Sequence, residues 1–207
     1  MTTFSRPPRL ILASSSRYRR ELLERLRLAF EVVTPDLDET PLAGESPADT
    51  ALRLAAAKAR AVAARVEAPE GVVVIGSDQV ATFDGRQVGK PGTHQRALEQ
   101  LQAMRGREVE FHSALCVYDS RSDLAQVEDV VTRVRFRCLS DADLDAYLRA
   151  ETPYDVAGSA KSEGLGIALL EAIDSNDPTA LVGLPLIALT RMLAEAGISP
   201  FATEARA

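Results

Sequence analysis

The 207-residue sequence predicts an α/β fold built on a mixed β-sheet. Three observations carry that expectation. A fully apolar run at 71–76 is too short for a buried helix and suits a central strand covered on both faces. Strand, Ser-rich turn and amphipathic helix follow one another across 9–28. Two stretches of alternating polarity, near 109–118 and 127–138, read as half-buried strands. Helical and strand-like segments that alternate in this way pack as helix layers on a sheet.

The first strand is expected at 9–13, followed by a helix at 18–28 carrying Leu22, Leu23, Leu26 and Leu28 on its apolar face. A second strand at 30–34 leads into a loop at 35–47 rich in Asp, Glu, Thr and Pro. Ser46 is placed to cap an Ala-rich helix at 47–66, with Pro47 in its first turn, where the missing N–H costs nothing. The central strand at 71–76 ends directly before Ser77, Asp78 and Gln79. Asp84-Gly85 is a hairpin signal within 80–88. Thr93 suits the cap of a helix running to about 105 and closed by Gly106, and Ser140 the cap of a helix to about 150, with Asp143 three residues on. A last apolar helix is expected over 183–196, ending at Gly197. No linker or repeat divides the chain, so residues 1–207 read as a single domain, with frayed ends.

A hydrophobic fraction of 46% supports a core without covalent staples. Cys116 and Cys138 both lie in apolar, strand-like text and read as buried free thiols. Two cysteines without a C-x-x-C spacing, with only His94 and His112 beside them, do not describe a structural zinc site. The net charge of −6, from 24 Lys and Arg against 30 Asp and Glu, argues against a general nucleic-acid-binding face. A small anionic ligand is still compatible, because a few local cations suffice to hold it. With neither a signal-like opening nor an apolar run of about 18 residues, the expectation is a cytoplasmic protein without a membrane partner.

Three features carry chemistry. The turn Ser14-Ser15-Ser16-Arg17-Tyr18-Arg19-Arg20 joins strand to helix, where free backbone N–H groups, hydroxyls and guanidinium groups can cradle phosphate oxygens. It lacks the glycines and the Gly-Lys-Ser/Thr ending of a P-loop, and the plainer reading is a helix cap among solvated arginines. Asp78, at the end of an apolar strand, can hold a divalent cation or deprotonate water, or merely cap a turn. Asp38, Glu39, Lys58, Lys90 and Lys161 are scattered charges, each unremarkable alone, with Lys90 and Lys161 set among Gly, Pro and Ser in shaped loops. Together they describe a site for a metal-bound polyphosphate.

At these residues the chain resembles the Maf family of nucleotide pyrophosphatases. The resemblance rests on Leu10-Ile11-Leu12-Ala13-Ser14-x-Ser16-x-x-Arg19-x-x-Leu22-Leu23, on Gly76-Ser77-Asp78-Gln79-Val80, on Gly89-Lys90-Pro91, on Ala157-Gly158-Ser159-x-Lys161-x-Glu163-Gly164 and on Asp177-Pro178-x-x-Leu181-Val182-Gly183-Leu184-Pro185. These segments occur in order along nearly the whole chain. The resemblance implies an elongated, twisted mixed sheet flanked by helices, inosine-triphosphatase-like, with a cleft between two lobes. It implies hydrolysis of a nucleoside triphosphate to monophosphate and pyrophosphate with Mg2+ or Mn2+. By position, Asp78 is similar to the proton acceptor, Ser14, Arg19, Lys58 and Lys90 to triphosphate ligands, and Glu39 to a metal or water-positioning carboxylate.

The chain is most similar to the subgroup acting on 7-methyl-GTP, whose base-selecting positions fall on Tyr18, Gln79 and Glu163. N7-methylation makes guanine cationic, so an aromatic face at Tyr18 and a countercharge at Glu163 suit it. Where the family usually has Pro, Trp and an aromatic residue, this chain has Arg17, Tyr18 and Ala160. A homodimer is implied by the resemblance alone. Two other readings stay open: a pyrophosphatase for thymidine or uridine triphosphate, against which Gln79 and Glu163 speak, and a non-catalytic nucleotide-binding regulator of cell division, which would not need Asp78.

Overall fold

The computed structural model describes residues 8–201, so the fraying expected at the chain ends lies outside the described residues. Among these, seven strands form one mixed sheet and five α-helices pack on it. The order along the chain is β1 (Arg9–Ala13), α1 (Arg17–Glu24), β2 (Glu31–Val32), α2 (Pro47–Ala63), β3 (Val72–Phe83), β4 (Arg86–Val88), α3 (His94–Met104), β5 (Glu108–Asp119), β6 (Leu124–Phe136), α4 (Asp141–Glu151), β7 (Leu170–Asp174) and α5 (Leu186–Glu195). The strands lie side by side as β2-β1-β3-β5-β6-β7, with β4 paired to the far part of β3.

β1 runs parallel to both its neighbours, and the other pairs are antiparallel. The chain leaves β1 through α1 to reach β2 on one side, then crosses through α2 to β3 on the other. The carboxyl end of β1 is therefore a topological switch point, where connections diverge and a crevice opens. β1 also stops early. Its last pair is Ala13 with Gly76, whereas β4 first meets β3 at Ala81 with Val88. Between those two registers lie Ser77, Asp78, Gln79 and Val80, flanked by neither β1 nor β4.

Alternation along the strands sorts the core. Leu10, Leu12, Val73, Ile75, Leu115 and Val117 face α1 and α5, with Leu22, Leu23, Leu189 and Leu193 packed over them. On the same face, a second cluster gathers Ala81, Phe111, Val134 and Phe136 under α3 and α4. The opposite face carries Ile11, Ala13, Val72, Val74 and Cys116 beneath the alanines of α2. The two clusters on one face are the two lobes, spanned by the long β5–β6 hairpin. Each fully buried leucine contributes about 1.5–3 kcal/mol by leaving water.

Local signals are met where they are strongest. Ser46 Oγ accepts from Asp49 N at 3.1 Å, with Pro47 at the helix start. Ser140 and Asp143 form a reciprocal capping box, and Thr93 caps α3. Asp84 and Gly85 both have positive φ (49° and 71°), as a two-residue hairpin turn demands.

Several expectations are corrected. α1 ends at Glu24, not near 28, because 25–27 tighten into successive backbone turns and Arg27 takes φ 54°, swinging the chain back toward β2. β2 pairs over two residues only. α5 begins at Leu186, not 183: Gly183 sits at φ 111°, and Pro185 disfavours a helical residue before it. Cys116 is buried, but Cys138 lies past the end of β6 and is exposed; both are free. Asp78 is not at a strand end. β3 runs on to Phe83 because β5 pairs with it from Val73 to Thr82 without a break.

Gly76 makes the α2–β3 contact possible. A Cβ there would stand 2.1 Å from the Ala55 carbonyl oxygen and 2.9 Å from the Ala59 nitrogen. Gly76→Ala should cost on the order of 1–3 kcal/mol by forcing α2 off the sheet, read as a lower denaturation midpoint. It should also impair the site described next, since Lys58 rides on α2.

Candidate active site

A cleft of about 550 Å3 opens at the gap between β1 and β4. Its walls include the Ser14–Arg19 turn, Glu39, Lys58, Asp78, Gln79, Lys90, Glu163 and Gly183. Both lobes contribute, because β3 and β5 pass from one to the other.

The floor is electrostatic. Asp78 points to the α2 face of the sheet and is 7% exposed; Lys58, on α2, is 4% exposed. The Lys58 ammonium donates to Asp78 Oδ1 at 2.7 Å and pairs with Glu39 Oε1 at 3.0 Å. Two carboxylates from a strand and a loop thus converge on one cation. Removing either partner of such a buried pair leaves an uncompensated charge, which is more costly than the pair is stabilising.

The acidic loop that delivers Glu39 is fastened to the same helix. Arg53, on α2, forks onto both oxygens of Glu45 at 2.6 and 2.8 Å and donates to the Thr40 carbonyl at 3.2 Å. Glu45 also accepts from Leu42 N and Thr50 Oγ1, and Asp38 accepts from Thr40. Arg53 above all, with these donors, holds the Glu45 carboxyl down from its ordinary 4.5 to about 2.

The cationic wall is the β1–α1 turn. Ser14 is buried, and its hydroxyl accepts from Ser16 N at 3.1 Å, which bends the backbone into the helix start. Ser16 Oγ caps α1 by accepting from Arg19 N. Arg19 Nε donates to the Gly183 carbonyl at 2.9 Å. Enclosure lowers the Arg19 pKa from its ordinary value, opposed by the Asp78 and Glu39 carboxylates. Lys90 approaches from the loop after β4 and is exposed.

The third wall carries Tyr18, Gln79 and Glu163. The Tyr18 ring already attracts cations: the Arg17 guanidinium is 4.7 Å and the Lys161 ammonium 5.9 Å from its centroid. Gln79 points to the face opposite Asp78, where its Nε2 is held by Ser113 Oγ and the carbonyls of Ala180 and Leu181. Glu163 is exposed at the rim.

Of the residues singled out in the sequence, Ser14, Tyr18, Arg19, Glu39, Lys58, Asp78, Gln79, Lys90 and Glu163 come together around this cleft. Lys161 does not line it. Its Nζ is spent on Glu151 Oε1 at 2.6 Å, which raises the lysine and lowers the carboxyl pKa, and its backbone N donates to the Tyr147 hydroxyl. Burial pushes that phenol up to about 12, so Tyr147 is a neutral strut there. Sequence reasoning missed Ser113, Arg53 and Glu45, and gave Ser77 no role beyond its place in the motif with Asp78 and Gln79. Ser113 left a faint signal: it interrupts the inward-facing series Phe111, Leu115, Val117 with a hydroxyl.

A family model described as "Maf-like protein" matches residues 9–196 of this chain. The chain belongs to the Maf family. Among its relatives is a protein named 7-methyl-GTP pyrophosphatase from Burkholderia orbicola (strain AU 1054), 80% identical over 97% of this chain and 96% of its own length. Proteins of the same name from Paraburkholderia xenovorans (strain LB400) and Cupriavidus metallidurans (strain ATCC 43123 / DSM 2839 / NBRC 102507 / CH34) are 74% and 67% identical. They cover 94% of this chain in each case, and 95% and 96% of their own lengths. The family match spans both lobes and every wall of the cleft.

The Arg53–Glu45 clamp gives the Maf fold here a testable acid limb. A carboxyl with a depressed folded pKa stabilises fully above its unfolded value of about 4.5. That contribution fades as pH falls toward about 2. Glu45→Gln should therefore lower the Tm at pH 6–7, with the gap to the parent chain closing between pH 4.5 and 2. A gap independent of pH would mean that the clamp acts through packing alone.

Proposed function

We propose that this chain hydrolyses 7-methyl-GTP to the nucleoside monophosphate and pyrophosphate, with Asp78 as proton acceptor. The observation that carries the reading is the convergence of Asp78, Lys58 and Glu39 on the floor of a cleft with Arg19 and Ser14 on one side and Tyr18, Gln79 and Glu163 on another. The names of the close relatives support it.

The triphosphate lies against the cationic wall. Ser14, Arg19 and Lys90 hold its oxygens, and Lys58 joins them from the floor. Water beside Asp78 loses its proton to the carboxylate and attacks the α-phosphorus. The cations stabilise pyrophosphate as the leaving group. Asp78 Oδ1 is engaged by Lys58, which fixes the direction of the carboxylate.

A divalent cation is part of the proposal, and the residues fit one. Among the described residues no group of three or more His, Cys, Asp or Glu could hold a metal alone. Asp78 and Glu39 are two hard oxygen donors already converging on a positive centre, and Mg2+ is commonly bound by one or two carboxylates together with substrate phosphates. Glu39 and Asp78 would hold it, and it would neutralise charge developing on the phosphates. Lys161, paired with Glu151, is not one of the phosphate ligands in this reading.

Base choice follows from charge. The Tyr18 ring that holds Arg17 and Lys161 beside it also suits the cationic ring of 7-methylguanine, a contact worth about 0.5–2 kcal/mol. Glu163 supplies acceptor oxygens and a countercharge. No helix among the described residues is long and apolar enough to cross a membrane, and both cysteines are free. A cytoplasmic setting belongs to the same proposal.

Product analysis tests the bond cut: monophosphate and pyrophosphate are expected, and diphosphate with orthophosphate would overturn the reading. Asp78→Asn keeps shape but removes the charge, and turnover should fall on the order of 10²–10⁴-fold with nucleotide affinity largely retained. Glu163→Gln should lower kcat/KM for 7-methyl-GTP by roughly 1–3 kcal/mol of transition-state binding and cost less with GTP. Tyr18→Ala should shift the ratio the same way. Equal losses on both substrates would reduce these two residues to shaping the cleft.

A further inference from the structure

Gln79 reaches the cleft with its amide already oriented from behind. Its Nε2 lies 2.9 Å from Ser113 Oγ, 3.1 Å from the Ala180 carbonyl and 3.0 Å from the Leu181 carbonyl. Carbonyl oxygens can only accept. The Ser113 hydroxyl spends its proton on the Ala180 carbonyl at 2.7 Å, so toward Gln79 it too can only accept. Three acceptors admit one orientation of the amide, nitrogen inward. That leaves Oε1 as the group that Gln79 offers to a ligand.

The acceptors are firmly placed. Ser113 is fully buried on β5 directly opposite Gln79. The 180–183 turn is tied down by Asp177, which accepts from Thr179 N, Thr179 Oγ1 and Ile187 N, and by Thr179, whose hydroxyl accepts from Leu186 N. Its last carbonyl, on Gly183, accepts from Ser77 Oγ and Arg19 Nε, both at 2.9 Å. One turn thus orients a residue on the phosphate side and a residue on the base side.

We propose that Ser113 and the 180–183 turn are positioning residues for base choice: they hold Gln79 as a hydrogen-bond acceptor, so that the bound base must present N–H donors. This rests on the nucleotide reading above and adds a residue and a turn to it. Guanine and 7-methylguanine carry N–H donors at N1 and at the 2-amino group, which Gln79 Oε1 and Glu163 can accept. Adenine has a bare N1 on that edge and no 2-amino group, and two acceptors would face its lone pair. An acceptor pair rejects it more sharply than shape alone, because acceptor oxygens are left facing a lone pair instead of N–H donors.

Ser113→Ala tests this. It removes the hydroxyl that accepts from Gln79 and leaves the backbone pairing of β5 intact. The amide is then freer to turn its nitrogen outward. The expected result is a fall in kcat/KM for 7-methyl-GTP of about three- to tenfold, mostly through KM, the scale of one neutral hydrogen bond. GTP should fall in parallel, since it presents the same N–H donors. ATP should be unchanged or improved. Ser113→Cys, a weaker bonding partner of similar size, should fall between parent and alanine variant.

A second readout needs no turnover. In the parent chain the Gln79 side-chain NH2 protons should exchange slowly with solvent by NMR, and faster in Ser113→Ala. Equal losses for guanine and adenine nucleotides would overturn the proposal, leaving Ser113 a packing residue. So would rapid exchange of the Gln79 amide in the parent chain. If the parent chain itself released no pyrophosphate from any guanine nucleotide, the functional reading would fail, while the exchange measurement would still judge the orientation of Gln79.

Discussion

The whole arrangement hangs on a cation held between α2 and the sheet. Lys58 needs a helix that lies unusually close to β3, and the closeness needs a residue without a side chain at 76. It needs a carboxylate at a position that β1 no longer covers, which the register supplies by ending at Ala13. It needs a second carboxylate from outside, and Arg53 fastens the loop that brings Glu39 there. Desolvating these groups is costly. Charge concentrated on the buried Lys58 and Asp78 is, in turn, what the proposed polarisation of an attacking water and a phosphoanhydride would draw on.

The division into two lobes follows from the same geometry. Core residues under α1 and α5 and those under α3 and α4 share one sheet face but form separate clusters. Ser113 and Gln79 lie at their border, where the inward series is broken by polar side chains that reach the 180–183 turn. A cleft at such a border takes one wall from each lobe. Ser14 and Arg19 come from the turn after the first strand and its helix, whereas Lys90 and Glu163 come from later loops.

Much of this was legible in the chain, and the divisions are physical. Caps at Ser46, Thr93 and Ser140, and the Asp84-Gly85 turn, are decided by residues within four positions, so local chemistry suffices to read them. The early end of α1 and the late start of α5 depend on where the next element must go, which no helical periodicity records. Asp78 was recognisable as a carboxylate beside a strand. Its true setting, inside β3 and just past the end of β1, is a matter of register between segments about sixty residues apart. Lys161 stood out for its Gly- and Ser-rich surroundings, yet Glu151, at the end of α4, claims its charge. Ser113 gave almost no signal, because a buried serine looks like any polar interruption until its acceptor is in place.

The long β5–β6 hairpin has a further consequence, for the order in which the molecule assembles. Its strands are joined by a short turn and pair over twelve registers, from Asp119 with Leu124 to Glu108 with Arg135. Contacts so close in sequence form with little loop-closure entropy. The parallel pairing of β1 with β3 joins Arg9 to Val72 and must close a loop holding a strand and two helices. It is therefore expected late. Since Ser14, Arg19 and the gap that exposes Asp78 all depend on β1 being docked, a partly folded chain can possess most of its sheet and none of its cleft. Loss of β1 from the finished protein would, by the same logic, silence the molecule well before it unfolds.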